Sequence, residues 1–210
     1  MNENVKNILE WVYCIVIALV LALLFRYFIG TPTIVKQRSM YPTLKDGQRL
    51  ILNRTHRISK KIPKRGDIIT FEGPSKTYQS WEVDQSNPVA VYDKEPEGLF
   101  SRFVYYSLEL TKKSFIKRVI ATEGEHVKIE ANKVYINGEL LEEDYLADDV
   151  VTNEKFFNDF VVPKGYIFAM GDNRPHSTDC RDFGCVPIDK VEGIVVFRFW
   201  PFDVWGKIEQ

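Results

Sequence analysis

Cysteine is scarce in this chain, with three in 210 residues. Cys14 lies in an apolar N-terminal run, and Cys180 and Cys185 sit near one another in a turn-rich stretch. There is no Cys-x-x-Cys pair and no Cys/His cluster with zinc spacing, so no metal centre is expected, and no cofactor. Histidine is equally rare. His56, His126 and His176 have no serine and carboxylate in a recognisable triad arrangement, and all three read as surface residues. An excess of either charge is also missing. The 28 basic and 29 acidic residues leave a net −1, without the basic balance of a nucleic-acid-binding surface, so no nucleic-acid partner is expected. Internal repeats and low-complexity tracts are absent. At 45% hydrophobic and 27% charged residues, the composition is that of an ordered globular protein.

What is present begins with one long apolar run. Residues 11–25 carry no charge, and the wider span 8–29 admits only Glu10 and Arg26, near its ends. That wider span is 22 residues, against the roughly 20 that a spanning helix needs. A buried core helix would show a polar stripe, and this segment is apolar on every face. A cleaved leader would be followed closely by a small-x-small site, and none follows. The expectation is an uncleaved membrane anchor within residues 1–30, ahead of a β-rich body at 31–210. The lipid bilayer is then a partner. Lys6 precedes the run and Arg26, Lys36, Arg38 and Lys45 follow it, so the positive-inside count alone would leave the body in the cytoplasm.

Thr31-Pro32-Thr33 ends the helical pattern, and Ile34-Val35 reads as a short strand. Further strands are expected at 49–52, 67–71, 114–121, 126–129, 133–136, 166–170 and 194–199. Turn residues separate them, as in Lys45-Asp46-Gly47, Asn137-Gly138 and Pro163-Lys164-Gly165. Many short strands without a helical period predict a mainly β fold, as an open sheet or a barrel. Residues 72–113, with Pro74, Pro88 and Pro96, are too long for a plain connection and predict a packed insert. Its aromatic-rich end is open to a strand, a short helix or a membrane-touching face. The loop 147–159 is acidic and reads as exposed.

Two stretches carry candidate chemistry. In Arg38-Ser39-Met40-Tyr41-Pro42-Thr43-Leu44, Ser39 sits in a turn 11 residues past Phe28. It therefore lies within roughly 40 Å of chain from the bilayer, a place suited to a membrane-embedded substrate. In Phe115-Ile116-Lys117-Arg118-Val119-Ile120, strand alternation puts Lys117 on one face with Phe115, Val119 and Ala121. Apolar surroundings are what an uncharged lysine base requires. Arg118 faces the other way and cannot act as a base. Met170-Gly171-Asp172-Asn173-Arg174 with Ser177, Asp179 and Arg181 reads as a turn network in which Asp179 pairs with an arginine. Ser177 could give a neutral lysine a hydrogen-bond partner.

The ordered set of anchor, Ser39-Met40-x-Pro42-Thr43-Leu44, Gly66-Asp67-Ile68, Lys117-Arg118-Val119-Ile120 and Gly171-Asp172-Asn173-Arg174 with Ser177, Asp179 and Arg181 resembles type I signal peptidases. The resemblance covers nearly the whole chain. It implies a membrane-anchored serine endopeptidase with a mainly β catalytic domain outside the cytoplasm, which removes signal peptides from secreted pre-proteins. This overrides the charge count. Ser39 would match the nucleophile, Lys117 the general base and Ser177 the serine that orients the lysine. Asp179 and Arg181 would match a supporting ion pair, with Asp172 and Arg118 in the same structural support. Ile34, Val35 and Met40 would wall the substrate groove. The family's second oxyanion donor often comes two residues before the nucleophile, where this chain has Gln37, whose side-chain amide is expected to donate. The family's usual serine between the aspartate and the arginine is here Cys180. A Cys180–Cys185 disulfide stays open: it could persist outside the cytoplasm, but the 181–184 loop leaves little room for the Cα separation of about 4.4–6.8 Å. Two rivals remain: a self-cleaving repressor with the same dyad, disfavoured by the anchor, and an inactive tethered peptide binder, disfavoured by the presence of both dyad residues.

Overall fold

A computed structural model describes residues 3–59, 61–109, 112–148 and 150–208. Met1 and Asn2 of the expected anchor segment 1–30, and Leu110 and Thr111 of the expected insert, lie outside these. Helix α1 spans Glu3–Phe28, with no proline or glycine to break it, Glu3 in its first turn and Arg26 in its last, as the helix dipole favours. At 26 residues it is about 39 Å long. None of its residues is buried, and an 18-residue stretch of it has a mean hydropathy of 2.7, so it is long and apolar enough to cross a membrane. Two arginines hold its C-terminal carbonyls: Arg57 Nη1 donates to Tyr27 O at 3.1 Å and Arg54 Nη1 to Arg26 O at 3.5 Å.

The body is mainly β, as expected. In chain order the strands are β1 Gly30–Ile34, β2 Arg49–Asn53, β3 Ile68–Glu72, β4 Ser114–Thr122, β5 His126–Glu130, β6 Lys133–Ile136, β7 Glu139–Leu140, β8 Asp159–Val161, β9 Tyr166–Met170, β10 Val186–Pro187, β11 Val191–Trp200 and β12 Gly206–Lys207. They form an eight-stranded sheet ordered β1-β2-β11-β3-β4-β9-β10, with β12 on β11, and a four-stranded sheet ordered β7-β6-β5-β8. Among the described residues the larger sheet is open, with β1 and β10 at its ends. β1 starts earlier than expected and runs through Pro32. A proline has no N–H to give a ladder, and the edge position of β1 tolerates that.

The main core lies where the two sheets face each other, around Ile69, Phe71, Val119, Ala121, Val127, Ile129, Phe160 and Phe168. A smaller core of Val35, Met40, Leu44, Leu50, Leu52, Ile68 and Val195 gathers residues of the Ser39 loop and the strands around it. The insert is packed in its first half, where Tyr78, Val83, Ala90 and Tyr92 join the main core and Val89 bridges to Cys185. Its second half turns into short helical segments, Leu99–Phe103 and Val104–Leu108. Glu109 then ties it to Arg54 at 2.7 Å and Arg57 at 3.3 Å. The 147–159 loop is not simply exposed, because Thr152 and Phe157 are buried.

Candidate active site

The loop after β1 is held from both sides. Val35 N donates to Gln48 O at 2.8 Å, and Gly47 N to Val35 O at 3.0 Å. Gln37 then adopts φ 77°, a left-handed conformation that a non-glycine residue takes only under constraint. The constraint is Asp46, whose Oδ1 accepts from Gln37 N at 2.8 Å. Beyond it Met40 and Leu44 bury fully in the smaller core and draw the loop down, while Ser39 stays at its lip, 8% exposed. Asn173 grips the loop from across the chain: its N donates to Ser39 O at 3.0 Å and its Nδ2 to Arg38 O at 3.1 Å. The Ser39 backbone N–H has no partner among the described residues.

Lys117 stands on β4 opposite Ile69 of β3. Pairing of β4 with β9 begins only at Arg118, so one edge of residues 114–117 is left unpaired by that strand. The Lys117 amine lies 2.7 Å from Ser39 Oγ and donates to Ile116 O at 3.0 Å. It sits 5.6 Å from the centre of the Phe115 ring, and the residue is only 4% exposed. Burial pushes its pKa down to about 8, against the upward pull of Asp179, Cys180 and Asp172. The alternation read from sequence therefore puts the lysine on its apolar face.

Two buried ion pairs frame this contact. Arg118 holds Asp172 through two bonds, Nε to Oδ1 at 3.0 Å and Nη2 to Oδ2 at 2.9 Å, and Thr43 Oγ1 donates to Asp172 Oδ2 at 2.6 Å. Arg181 holds Asp179 in the same two-pronged way, at 2.9 and 2.8 Å. Gly171 N adds a third donor to Asp179 at 3.1 Å. Burial alone would raise the Asp179 carboxyl, but Arg181 outweighs it and holds the pKa at about 2. The expected Asp179–Arg181 pair forms, and Asp172 and Arg118, expected only as structural support, pair with one another in the same cluster behind the Ser39–Lys117 contact.

Ser177 is buried in the same cluster. It makes no hydrogen bond to Lys117, and its Oγ approaches Asp179 without a well-aligned bond. Ile34, Val35 and Gln37 line a groove of about 490 Å³ together with Ser39, Phe115, Ile116 and Lys117. Met40 is a correction: its side chain is fully buried in the smaller core and is not part of that groove. The reason is the turn at Ser39, which sends the next side chain inward. His56 is a second correction, being buried with Nε2 at 3.1 Å from Val191 O. Cys180 and Cys185 are both buried free thiols, so no disulfide joins them.

Three further residues belong to this site without a role legible in the sequence. Gly171 allows close passage, since a Cβ there would stand 2.7 Å from Ser177 Cβ and overlap Ser177 Oγ and Ser39 O. Arg174, 0% exposed, donates Nε to Gly171 O at 3.1 Å and reaches Glu143 and Thr152. Asn173 clamps the Ser39 loop. Their signal was the polar turn after an apolar strand, which by itself reads as a turn satisfying its own backbone.

Residues 8–200 match the family model described as "Signal peptidase, peptidase S26". The chain is similar to "Signal peptidase I T" of Bacillus subtilis (strain 168), 35% identical over 210 residues, covering 96% of this chain and 90% of that one. It is also similar to "Signal peptidase I" of Bacillus licheniformis, 35% identical over 217 residues, covering 99% and 97%. A crystal structure of a signal peptidase I from Enterococcus faecalis V583 is 32% identical and covers 64% of this chain and 97% of that one, with a TM-score of 0.41. A serine and a buried lysine in contact at the lip of a groove, in a chain that matches this family across 8–200, lead to one conclusion: the chain belongs to the signal peptidase family, peptidase S26, and is a serine endopeptidase.

Proposed function

We propose that the chain removes signal peptides from secreted pre-proteins with a Ser39–Lys117 dyad, while α1 anchors it in the cell membrane with residues 31–210 on the extracytoplasmic side. The approach of Lys117 Nζ to Ser39 Oγ at 2.7 Å carries this reading. In the neutral amine, one N–H donates to Ile116 O and the lone pair accepts the Ser39 hydroxyl proton. Ser39 Oγ attacks the carbonyl after the signal peptide, the C–N bond breaks, and Lys117 returns the proton to the leaving amine. Water then attacks the acyl-enzyme by the reverse proton path, freeing the signal peptide carboxylate.

The groove suits an extended substrate. It runs from the edge strand β1 to the edge of residues 114–117 that β9 leaves unpaired, so a substrate strand can bond to both. Ile34 and Val35 wall its β1 side. The unpartnered Ser39 N–H and the Gln37 amide are the two donors for the oxyanion. Ser177 is a positioning residue: its buried Oγ lies between Asp179 and Gly171, where a donor or acceptor can meet the lysine as it changes charge. Asp172–Arg118 and Asp179–Arg181 support the site from behind.

The test is cleavage of a purified pre-protein by wild type, Ser39→Ala and Lys117→Ala. Each substitution is expected to lower kcat by roughly 10³-fold or more. Wild type that binds the pre-protein but never cuts it would end this reading. Protease accessibility of the body in sealed vesicles tests the side on which it lies.

A further inference from the structure

A second cavity adjoins Ser39, and nothing in the dyad chemistry uses it. It measures about 790 Å³ and is lined by Arg38, Tyr41, Lys45, Asp46, Asn173 and His176 among others. It shares no lining residue with the groove of Ile34, Phe115 and Lys117. Both adjoin the nucleophile loop, however. Arg38 directly precedes Ser39, and Asn173 bonds to the carbonyls of both. An extended chain advances about 3.3 Å per residue, so one that fills the groove up to its scissile bond leaves past Ser39 within two or three residues. This cavity lies beside the same stretch of the loop, with Arg38 and Asn173 in its lining.

Its charge is uneven. The buried arginines of the body each have a carboxylate: Arg54 has Glu109, Arg118 has Asp172, Arg174 has Glu143 and Arg181 has Asp179. Arg38 and Lys45, both exposed, form no ion pair among the described residues. The one carboxylate in the lining, Asp46, is already engaged by Gln37 N at 2.8 Å. Set against Asp46, Arg38 and Lys45 therefore give the cavity a net positive charge over an apolar floor that includes Leu44.

We infer that this cavity receives the first residues of the mature protein, on the far side of the cut, and that Arg38 and Lys45 make it select a carboxylate there. The inference rests on the cleavage reading above and adds a specificity that the groove does not supply. Exposed ion pairs are individually weak, and with Asp46 set against them the two cations together give a preference of up to about tenfold.

The experiment uses the full chain in neutral detergent micelles. Two pre-proteins, identical except for Glu or Lys at the second residue after the cut, compete in one tube, so the fraction of folded enzyme cancels from the ratio of kcat/KM. Wild type is expected to favour the Glu substrate, with the ratio collapsing toward one at about 0.5 M salt. Lys45→Glu should lessen the preference, and Arg38→Glu with Lys45→Glu should invert it. Equal cleavage of both substrates, or a ratio that neither variant moves, overturns the inference and leaves the cleavage reading standing. Wild type that cuts neither substrate removes both. A charge effect that appears only on anionic vesicles and ignores the residues after the cut means lipid contact, and also overturns it.

Discussion

Gly171 passes so close to Ser177 that no side chain fits between them: a Cβ would stand 2.7 Å from Ser177 Cβ and overlap Ser177 Oγ and the Ser39 carbonyl oxygen. The same glycine donates its N–H to Asp179 and accepts at its carbonyl from Arg174. It is the point where the Ser39 loop and the ion-pair cluster meet. Gly171→Ala is expected to push Ser39 away from Lys117. A misplacement of about 1 Å costs roughly 10²-fold in rate, and the overpacking about 1–3 kcal/mol in stability. Steady-state kcat with a denaturation midpoint checks both, and an Ala variant with wild-type kcat would refute the close-passage argument.

Because the Lys117 pKa lies at about 8, cleavage should rise about tenfold per pH unit below that value and level off above it. The sign follows from the base being the deprotonated form. A kcat/KM profile of the full chain from pH 6 to 10 checks it, and a profile flat across pH 8 would separate Lys117 from the chemistry.

The same depressed pKa bears on folding. Below pH 8 the folded chain holds a buried ammonium ion, at a cost the unfolded chain does not bear. Stability then rises as pH climbs from about 8 toward the unfolded lysine value of 10.5. Lys117→Met is expected to abolish cleavage yet stabilise the protein by about 0.5–2 kcal/mol at neutral pH, with the gain shrinking at alkaline pH. Denaturant titrations at pH 7 and 10 measure the difference.

Asp179 and Arg181 are both 0% exposed. Removing the carboxylate alone, in Asp179→Ala, leaves a buried guanidinium unpaired and should cost about 3–5 kcal/mol. Asp179→Leu combined with Arg181→Met should recover most of that stability but not the activity. The Asp179 pKa of about 2 means that the stabilisation from this pair is present above the unfolded carboxyl value near 3.8 and is lost as pH falls through 2. Acid unfolding monitored by circular dichroism tests the window.

Gln37 separates backbone strain from chemistry. Its φ of 77° suits glycine, so Gln37→Gly should stabilise the fold by up to about 1 kcal/mol. If the side-chain amide is the second oxyanion donor, both Gln37→Gly and Gln37→Ala should lose roughly 10²-fold in kcat. Undiminished kcat in both would remove the amide from the mechanism.

The parts legible from sequence were local. The apolar run gave away α1 because it has no polar face, and β4 to β6 and β9 fall close to where β-branched runs and turn residues put them. β7, β8, β10 and β12 were not anticipated, since strands of two or three residues carry too little pattern to read. Adjacency to Ser39 suggests the groove for Met40, whereas a turn sends successive side chains in unrelated directions. His56 reads as a surface residue from sequence because nothing local shows that its ring meets the Val191 carbonyl.

The amino-acid order alone determined that an apolar helix leads a β-rich body, that a serine follows that helix closely, and that a lysine sits on an apolar strand face. Each depends on near neighbours, through side-chain periodicity and backbone preference. Only the tertiary structure decided that these two groups, 78 residues apart, lie 2.7 Å from one another. It also decided that the amine is dry enough for its pKa to fall to about 8, and that Gly171 must have no side chain. Register between distant strands and the exclusion of water are properties of the assembled packing, to which no single stretch of chain holds the key.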